Sequence, residues 1–189
     1  MRNPTLAVSL TLALVASPGA QAQAQGWDWF PVTDAGYQAE PTLAALGGVQ
    51  NPDVDGVSSA GAYGVELSLN CQTLATPRHG IRQQISLTRF DNDGLELTSL
   101  EINPHYVVPV AQNLGFGFGP GLSYVSADAG GGDSDGVLGL QAGVSVNYRQ
   151  GPLFLGAEAR YQWTQEADLG GAETDLANSR LMGKAGVNF

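Results

Sequence analysis

The residues of this chain that could take part in catalysis are few. Its two histidines are His79 and His105. Glu101 precedes His105 on the same face of a strand, where a carboxylate could orient the imidazole of a general base. No serine nucleophile follows closely, because Tyr106 comes after His105 and Gly80 comes after His79. We therefore expect His105 to be a hydrogen-bonded interior residue and the chain to have no enzymatic activity.

Metal-binding motifs are also incomplete. Cys71 is the only cysteine, which excludes an intramolecular disulfide, and with two histidines it cannot form a cluster of transition-metal ligands. The segments 91–94 and 133–136 contain closely spaced aspartates, but neither completes a Ca²⁺-binding loop, and both are typical of turns. The sequence predicts no metal site and no cofactor.

Acidic side chains are concentrated in a few segments. The chain has 18 acidic and 8 basic residues, a formal net charge of −10. Most of the acids lie in four turn-rich segments without basic residues: Asp53 and Asp55; Asp91 and Asp93; Asp128, Asp133 and Asp135; Glu166, Asp168, Glu173 and Asp175. This excess of negative charge argues against nucleic acid as a partner. Weakly bound divalent cations, bridging these loops to lipopolysaccharide phosphates, are a hypothesis.

Three regions follow one another along the chain. Residues 1–24 have the pattern of a secretory signal peptide, with Arg2, an apolar run over 6–16 and small residues before the cleavage site. Residues 25–40 form an N-terminal arm that is rich in aromatic residues. The arm is predicted to be either an interfacial segment at the membrane or a poorly ordered periplasmic segment. Residues 41–189 form a single β-rich domain.

Most of that domain shows the period of two that is typical of β-strands. In residues 137–164, Leu138 and Leu140 alternate with Gly139 and Gln141, and the pattern resumes after a turn. Each arm of about ten residues matches a strand that crosses a bilayer. Further strands are predicted at 42–49 (the weakest), 60–70, 80–90, 95–108, 114–124 and 176–189. The sequence predicts an all-β fold, an eight-stranded antiparallel transmembrane up-and-down β-barrel.

One predicted strand is irregular. Leu95 and Leu97 have one parity, whereas Leu100 and Ile102 have the other. We expect a β-bulge near 98–99 to restore the alternation. In the next strand, the alternate glycines between residues 114 and 124 are expected to make room for long arginines on the opposite wall.

Alternation alone does not say which face is the interior, since a soluble lipocalin-like barrel would place its apolar face inside. Only 14% of the residues are charged, fewer than a solvated exterior usually carries, so we place the polar face inside. The interior is then predicted to hold a charge network: Glu66, Arg82, Glu101, His105, Glu158, Arg160, Arg180 and Lys184. Because the lumen of eight strands is just wide enough for side chains, it is expected to be plugged. The alternatives are a narrow channel, a transporter of small hydrophobic molecules and a soluble periplasmic lipocalin-like binding protein.

Aromatic residues on the apolar face are expected to form a belt at the membrane surfaces. They are Tyr106, Tyr124, Tyr148, Tyr161 and Trp163.

Counted back from the C-terminus, the four acidic segments fall on alternate connections between the predicted strands, and the connections between them carry no acid. With this alternation, its leader, its strand count and its terminal Phe189, the chain resembles the small outer-membrane β-barrel family, typified by the OmpA transmembrane domain and OmpX-like proteins. The resemblance covers residues 40–189. It implies a monomer in the cell outer membrane, in contact with outer-membrane lipid and lipopolysaccharide, with a structural or surface-interaction role. In that family the C-terminal aromatic strand is recognised by the barrel assembly machinery, a signal that the resemblance implies for Val187 and Phe189.

Overall fold

Eight long strands form the main body of the protein. The computed structural model describes residues 27–76, 80–129, 134–169 and 171–189, so the predicted leader (1–24), His79 and Asp133 lie outside the described residues. The strands are β1 (Thr42–Pro52), β2 (Ala60–Asn70), β3 (Gly80–Asn92), β4 (Leu95–Ala111), β5 (Leu114–Asp128), β6 (Ser134–Gln150), β7 (Leu153–Thr164) and β8 (Asn178–Asn188).

The eight strands close into an antiparallel barrel, as predicted. Each strand pairs with its neighbour in sequence, and β8 pairs with both β7 and β1. The weakest predicted strand is fully formed, because β1 pairs with β8 from Thr42 opposite Asn188 to Pro52 opposite Asn178. Closure leaves no unpaired sheet edge, which is the condition for a sheet to lie in lipid.

The connections between strands fall at two ends of the barrel. The terminal end is where β1 begins and β8 ends. The loop end is the opposite one, and it carries the described residues of all four acidic segments. At the loop end, β3 and β4 are joined by a two-residue turn in which Asp93 and Gly94 have φ of 52° and 81°. Positive φ at both positions is the signature of a type I′ turn, which explains the Asp-Gly pair.

The bulge predicted near 98–99 is wrong. The β3–β4 register is continuous from Gly80 opposite Val107 to Asn92 opposite Leu95. Leu95 and Leu97 are buried on the inner face, on the same parity as Glu101, while Leu100 and Ile102 are exposed. The apolar residues change parity because the interior itself is apolar at the loop end. The irregularity of β4 lies elsewhere, between Pro109 and Ala111 in its pairing with β5.

An apolar cluster fills the loop end of the interior. Phe90, Leu97, Val125 and Val137 come from the barrel strands, and Leu176 and Ala167 come from the β7–β8 connection. Val54, Val57 and Leu169, also from connections at this end, pack against the cluster. The described parts of the β1–β2 and β7–β8 connections are therefore anchored by their apolar side chains. The sequence predicts a polar face inside the barrel and does not predict this apolar layer.

Two short strand pairs lie outside the barrel. Glu166–Leu169 pairs with Ala172–Asp175 at the loop end, where only a loop was expected. In the N-terminal arm, Asp28–Trp29 pairs with Leu74–Ala75 of the β2–β3 connection, and Tyr37 Oη donates to the Asn70 carbonyl at 2.7 Å. The arm thus lies against the terminal end of the barrel. Within the described ranges, no helix has the length and apolar character needed to cross a membrane.

Candidate functional site

The barrel wall separates apolar side chains from charged ones. In β7, Leu155 and Trp163 face outward and are 44% and 53% exposed. The alternate residues Glu158 and Arg160 point inward and are only 5% and 4% exposed. The same division holds in β6, where Leu140 is exposed and Gln141 is buried. The candidate site is therefore the polar interior, and the exterior of the barrel is an apolar belt.

Lys184 is at the centre of the first group of interior charges. Its Nζ donates to Glu66 Oε2 at 2.6 Å and to Glu158 Oε2 at 2.7 Å. Arg160 donates from Nε to Glu158 Oε1 at 2.7 Å, and its Nη2 lies 2.6 Å from Glu158 Oε2. These contacts join β2, β7 and β8 through the lumen. Glu66 and Lys184 are both buried, and their side chains meet although β1 lies between their strands in the sheet.

Glu101 is at the centre of the second group. It forms an ion pair with Arg180, and it accepts hydrogen bonds from Thr88 Oγ1 at 3.1 Å and Gln141 Nε2 at 3.2 Å. Arg180 also donates from Nη1 to Thr88 and from Nη2 to Gln141. Arg160 connects the two groups, because its Nη1 lies 3.9 Å from Glu101 Oε2.

Together, these groups form a neutral buried network of three carboxylates and three cations. Its six ionic members are all buried: Glu66, Glu101, Glu158, Arg160, Arg180 and Lys184. A single buried ion without a partner costs several kcal/mol, so such a network is tolerated only when its members are paired and hydrogen-bonded. The network therefore fixes these side chains in place across the middle of the lumen.

Two residues predicted for the network lie apart from it. Arg82 is near the terminal end, where its guanidinium donates to the Glu40 and Ser68 carbonyls at 2.7 and 3.0 Å and to Asn70 Oδ1 at 3.0 Å. His105 is fully buried and contacts Ser145 through Nδ1 at 3.3 Å. Its Nε2 has no hydrogen-bond partner among the described residues. Of the eight residues predicted to form one charge network, six do so, and Arg82 and His105 lie apart from it.

The His105–Ser145 contact, which sequence spacing did not indicate, lacks the carboxylate of a catalytic triad among the described residues. No described carboxylate binds the free nitrogen of the imidazole, and Ser145 Oγ already accepts from Asn147 Nδ2 at 2.9 Å. Both His105 and Ser145 are buried. A general base needs a substrate within hydrogen-bond reach, and this pair is closed off by its neighbours.

Glycines in β5 allow the interior side chains to approach the wall. A Cβ on Gly119 would overlap the Pro104 carbonyl oxygen, and one on Gly121 would overlap the Asn103 side chain. These two glycines make room for the backbone of β4 and for the Asn103 side-chain amide. The prediction that they make room for long arginines is wrong for these two positions. The glycine beside an arginine is Gly143 on β6, where a Cβ would lie 3.3 Å from Arg160 Cγ.

The predicted aromatic belt residues lie at two levels of the barrel. Tyr124 and Trp163 are near the loop-end limits of β5 and β7, and Tyr161 packs on Trp163 with ring centroids 4.7 Å apart. Tyr106 and Tyr148 are closer to the terminal end, and Tyr106 packs on Phe118 at 5.5 Å.

The residues of the predicted assembly signal lie at the terminal end. Val187 and Phe189 are 45% and 75% exposed. The backbone N–H of Phe189 donates to the Pro41 carbonyl at 2.9 Å, so the last residue stays attached to β1.

Acidic loop residues mainly hold the loops together. Asp93 accepts from the Ser58 N–H at 2.9 Å, and Asp135 accepts from the N–H groups of Gly136 and Asp168 at 2.7 and 2.9 Å. The Asp168 bond is the main cause, and the Gly136 bond the second, that lower the pKa of Asp135 below its ordinary value. Among the residues whose structure is described, no group of three His, Cys, Asp or Glu side chains could hold a metal ion.

Two solved structures show what this architecture is similar to. Neisserial surface protein A matches with a TM-score of 0.61 and 19% identity, covering 79% of this chain and 97% of that one. Ail, the attachment invasion locus protein of Yersinia pestis, matches with a TM-score of 0.51 and 15% identity, covering 81% and 100%. The chain has the fold of the small outer-membrane β-barrels.

The expected resemblance to this group is confirmed at the level of fold. The predicted location, the cell outer membrane, is that of the matched barrels. The sequence itself matches no family model and no curated protein.

Proposed function

We propose that this chain is a non-enzymatic, monomeric outer-membrane barrel with a closed interior, and that its role is structural or in surface interaction through its loop end. The observation that carries the proposal is the pairing of Glu66, Glu101 and Glu158 with Arg160, Arg180 and Lys184 inside an apolar exterior. In this proposal the terminal end faces the periplasm and the acidic loops face the outside of the cell.

Two layers support a closed lumen. The ionic network crosses the middle of the barrel, and the apolar cluster around Phe90, Leu97 and Leu176 fills the loop end. Ions entering from the loop end would first have to displace packed apolar side chains. They would then have to separate buried ion pairs, which is costly. This arrangement favours a plug over the alternative of a narrow channel.

The soluble lipocalin-like alternative requires the opposite orientation of the wall. It needs leucines inside and charged groups outside, whereas Leu155 is exposed and Glu158 is buried. The transporter alternative needs a continuous apolar path through the lumen, and the polar network crosses that path. Neither alternative has a specific observation in its favour.

Conductance in a planar lipid bilayer tests the proposal. The purified, refolded protein is expected to show no steady ionic current. Glu101→Ala and Arg180→Ala remove one buried pair without changing net charge, and combined with Phe90→Ala and Leu97→Ala, which open the apolar cluster, they are expected to produce measurable conductance steps. The matched control is Glu96→Ala with Arg89→Ala, an exposed pair 2.5 Å apart. Steady conductance of the unmodified protein, with folding verified by heat-modifiable gel migration, would contradict the plug.

The proposed partners follow from the surface. Lipid and lipopolysaccharide contact the apolar belt, and the barrel assembly machinery recognises the exposed Phe189. Divalent cations at the loops are retained as a weaker proposal, because the loop carboxylates already accept backbone hydrogen bonds. If cations bridge the loops to lipopolysaccharide, chelation with EDTA increases loop cleavage by protease in intact cells. Unchanged cleavage counts against this part of the proposal.

A further inference from the structure

A cavity at the terminal end of the barrel is not used by the ionic network. Its volume is about 320 Å³. Charged side chains line one part of it, and apolar side chains line another: Glu40, Arg82, Arg149, Val107, Pro109 and Leu114. With the orientation proposed above, this cavity opens toward the periplasm. It is thus the part of the interior that solutes or lipid head groups on the periplasmic side can reach.

The cavity carries an excess of positive charge. Arg149 lies over the Phe154 ring, with Cζ 5.3 Å from the ring centroid. Its guanidinium has no ion-pair or hydrogen-bond partner in the described part of the chain. The carboxylate of Glu40 is 3.9 Å from Arg82 Nη1, and its side chain is 57% exposed at the rim. Two guanidinium groups therefore face one loosely paired carboxylate, in a chain whose net charge is −10.

This arrangement differs from that of the other interior cations. Arg160 and Lys184 lie 2.6–2.7 Å from carboxylate oxygens, whereas Arg149 has none. Because the guanidinium of Arg149 is half-buried and donates to no described acceptor, its N–H donors are available to a ligand in the cavity. Its planar fork of donors matches the two oxygens of a phosphate or carboxylate. The apolar wall beside it suits a short apolar group on the same ligand.

We propose that the cavity binds a small oxyanion, a phosphate or carboxylate carrying a short apolar group, with Arg149 as its main contact and Arg82 as the second charge. Two sources have this chemistry: a soluble periplasmic anion, and the phosphate of a phospholipid head group at the inner leaflet. The inference goes beyond the proposed closed barrel, and its failure leaves the conductance result unaffected.

Calorimetric titration in a neutral detergent tests the site with phenyl phosphate as the probe. The unmodified protein is expected to bind it with saturation, and Arg149→Gln is expected to weaken binding by at least about tenfold. Glu40→Gln removes the competing carboxylate and is expected to tighten binding, an effect that a folding defect would not produce. Arg89→Gln at the loop end, where Arg89 is paired with Glu96, serves as the control and is expected to change nothing.

Two further titrations separate the sources. If dihexanoyl phosphatidylglycerol displaces phenyl phosphate, the ligand is a lipid head group; if it does not, the ligand is a soluble anion. Binding that is equal in the unmodified protein and in Arg149→Gln would overturn the site. Binding that is absent from both at about 10 mM probe, a concentration beyond ordinary specific affinity, would overturn it equally.

Discussion

Lys184 and Glu66 are 118 residues apart in sequence, yet the Lys184 Nζ lies 2.6 Å from Glu66 Oε2 in the middle of the barrel. The two side chains come from β8 and β2 and meet across β1, so their contact requires the barrel to be closed. Glu66 is 2% exposed, and Lys184 is its only ion-pair partner among the described residues. This pair therefore reports on the closure of the barrel and on the balance of charge inside it.

Replacing Lys184 by Met is expected to destabilise the barrel by about 3–5 kcal/mol, because it leaves the Glu66 carboxylate buried without a cation. Glu158 retains Arg160, so the loss is centred on Glu66. Lys184→Met combined with Glu66→Gln is expected to recover a large part of the stability, since no unpaired charge remains. Urea unfolding in lipid vesicles measures both variants.

The matched control for that pair is Arg89→Gln. Arg89 and Glu96 form a similarly short ion pair on the surface, with side chains 45% and 35% exposed. Exposed pairs contribute about 0–1 kcal/mol, so this variant is expected to unfold almost as the unmodified protein does. Equal losses for Arg89→Gln and Lys184→Met would contradict the buried network.

Gly119→Ala is expected to destabilise the barrel by about 1–3 kcal/mol, because its Cβ would overlap the Pro104 carbonyl oxygen and overpack the wall. Gly47→Ala is the control, since no atom lies within 4 Å of the Cβ that it would add. The measurement is again urea unfolding. If Gly47→Ala is as damaging as Gly119→Ala, a general loss of backbone freedom rather than a specific close approach explains the effect.

The short hairpin of Glu166–Leu169 and Ala172–Asp175 is expected to loosen in acid, because the carboxylate of Asp135 accepts a hydrogen bond from the Asp168 N–H. The folded pKa of Asp135 is lowered below the ordinary value of 3.8 by the N–H groups of Asp168 and Gly136. Because the folded pKa is lower than the unfolded pKa, the ionised carboxylate of Asp135 contributes its full stabilisation at pH values above the unfolded pKa. This stabilisation is lost as the pH falls through the lower, folded pKa. The protection factor of the Asp168 amide, which corrects the exchange rate for its intrinsic pH dependence, should therefore fall as the pH drops below the unfolded pKa of Asp135.

The Asp135→Asn variant separates this effect from general acid unfolding. The asparagine side chain has no titratable group, so the protection factor of the Asp168 amide is expected to be lower at neutral pH and to lose most of its acid dependence. Asp55→Asn, at an exposed loop position, is the control and is expected to behave as the unmodified protein does. An unchanged acid profile in Asp135→Asn would rule out this carboxylate as the cause.

A charge on the apolar belt is expected to cost more in the middle of the wall than at its edge. Ile102 lies near the middle of β4 and is 51% exposed, and Val110 lies near the terminal end of the same strand and is 57% exposed. Ile102→Lys is expected to lower stability in lipid by about 2–4 kcal/mol, and Val110→Lys by about 0–1 kcal/mol. Equal costs in lipid would mean that Ile102 does not face acyl chains.

Much of this architecture is predictable from sequence because a strand has a period of two, and Leu155 and Glu158 then have to lie on opposite faces. The Asp93-Gly94 turn is predictable because only a few residues accept positive φ. The inward orientation of Leu95 and Leu97 in β4 is not predictable, since both belong to an apolar layer that includes Leu176 from a distant connection. Alternation indicates which residues share a face, but it does not reveal where that face changes from polar to apolar.

The same limit applies to the interior site. Sequence parity identifies Glu101, Arg160 and Lys184 as inward-facing, but their partners depend on which strands meet across the lumen. It gives no reason to separate Arg82 and His105 from the network. Arg149, which lines the cavity at the terminal end, belongs to a segment that predicts only a turn.

Trp163 gives the most direct test of the central claim, that the apolar face looks toward lipid. Trp27→Phe with Trp29→Phe leaves Trp163 as the only tryptophan, and its indole is outward and 53% exposed. In vesicles of brominated lipid its fluorescence is expected to be strongly quenched, while aqueous iodide has little effect. Quenching by iodide with no response to brominated lipid would place Trp163 in water and contradict the membrane barrel.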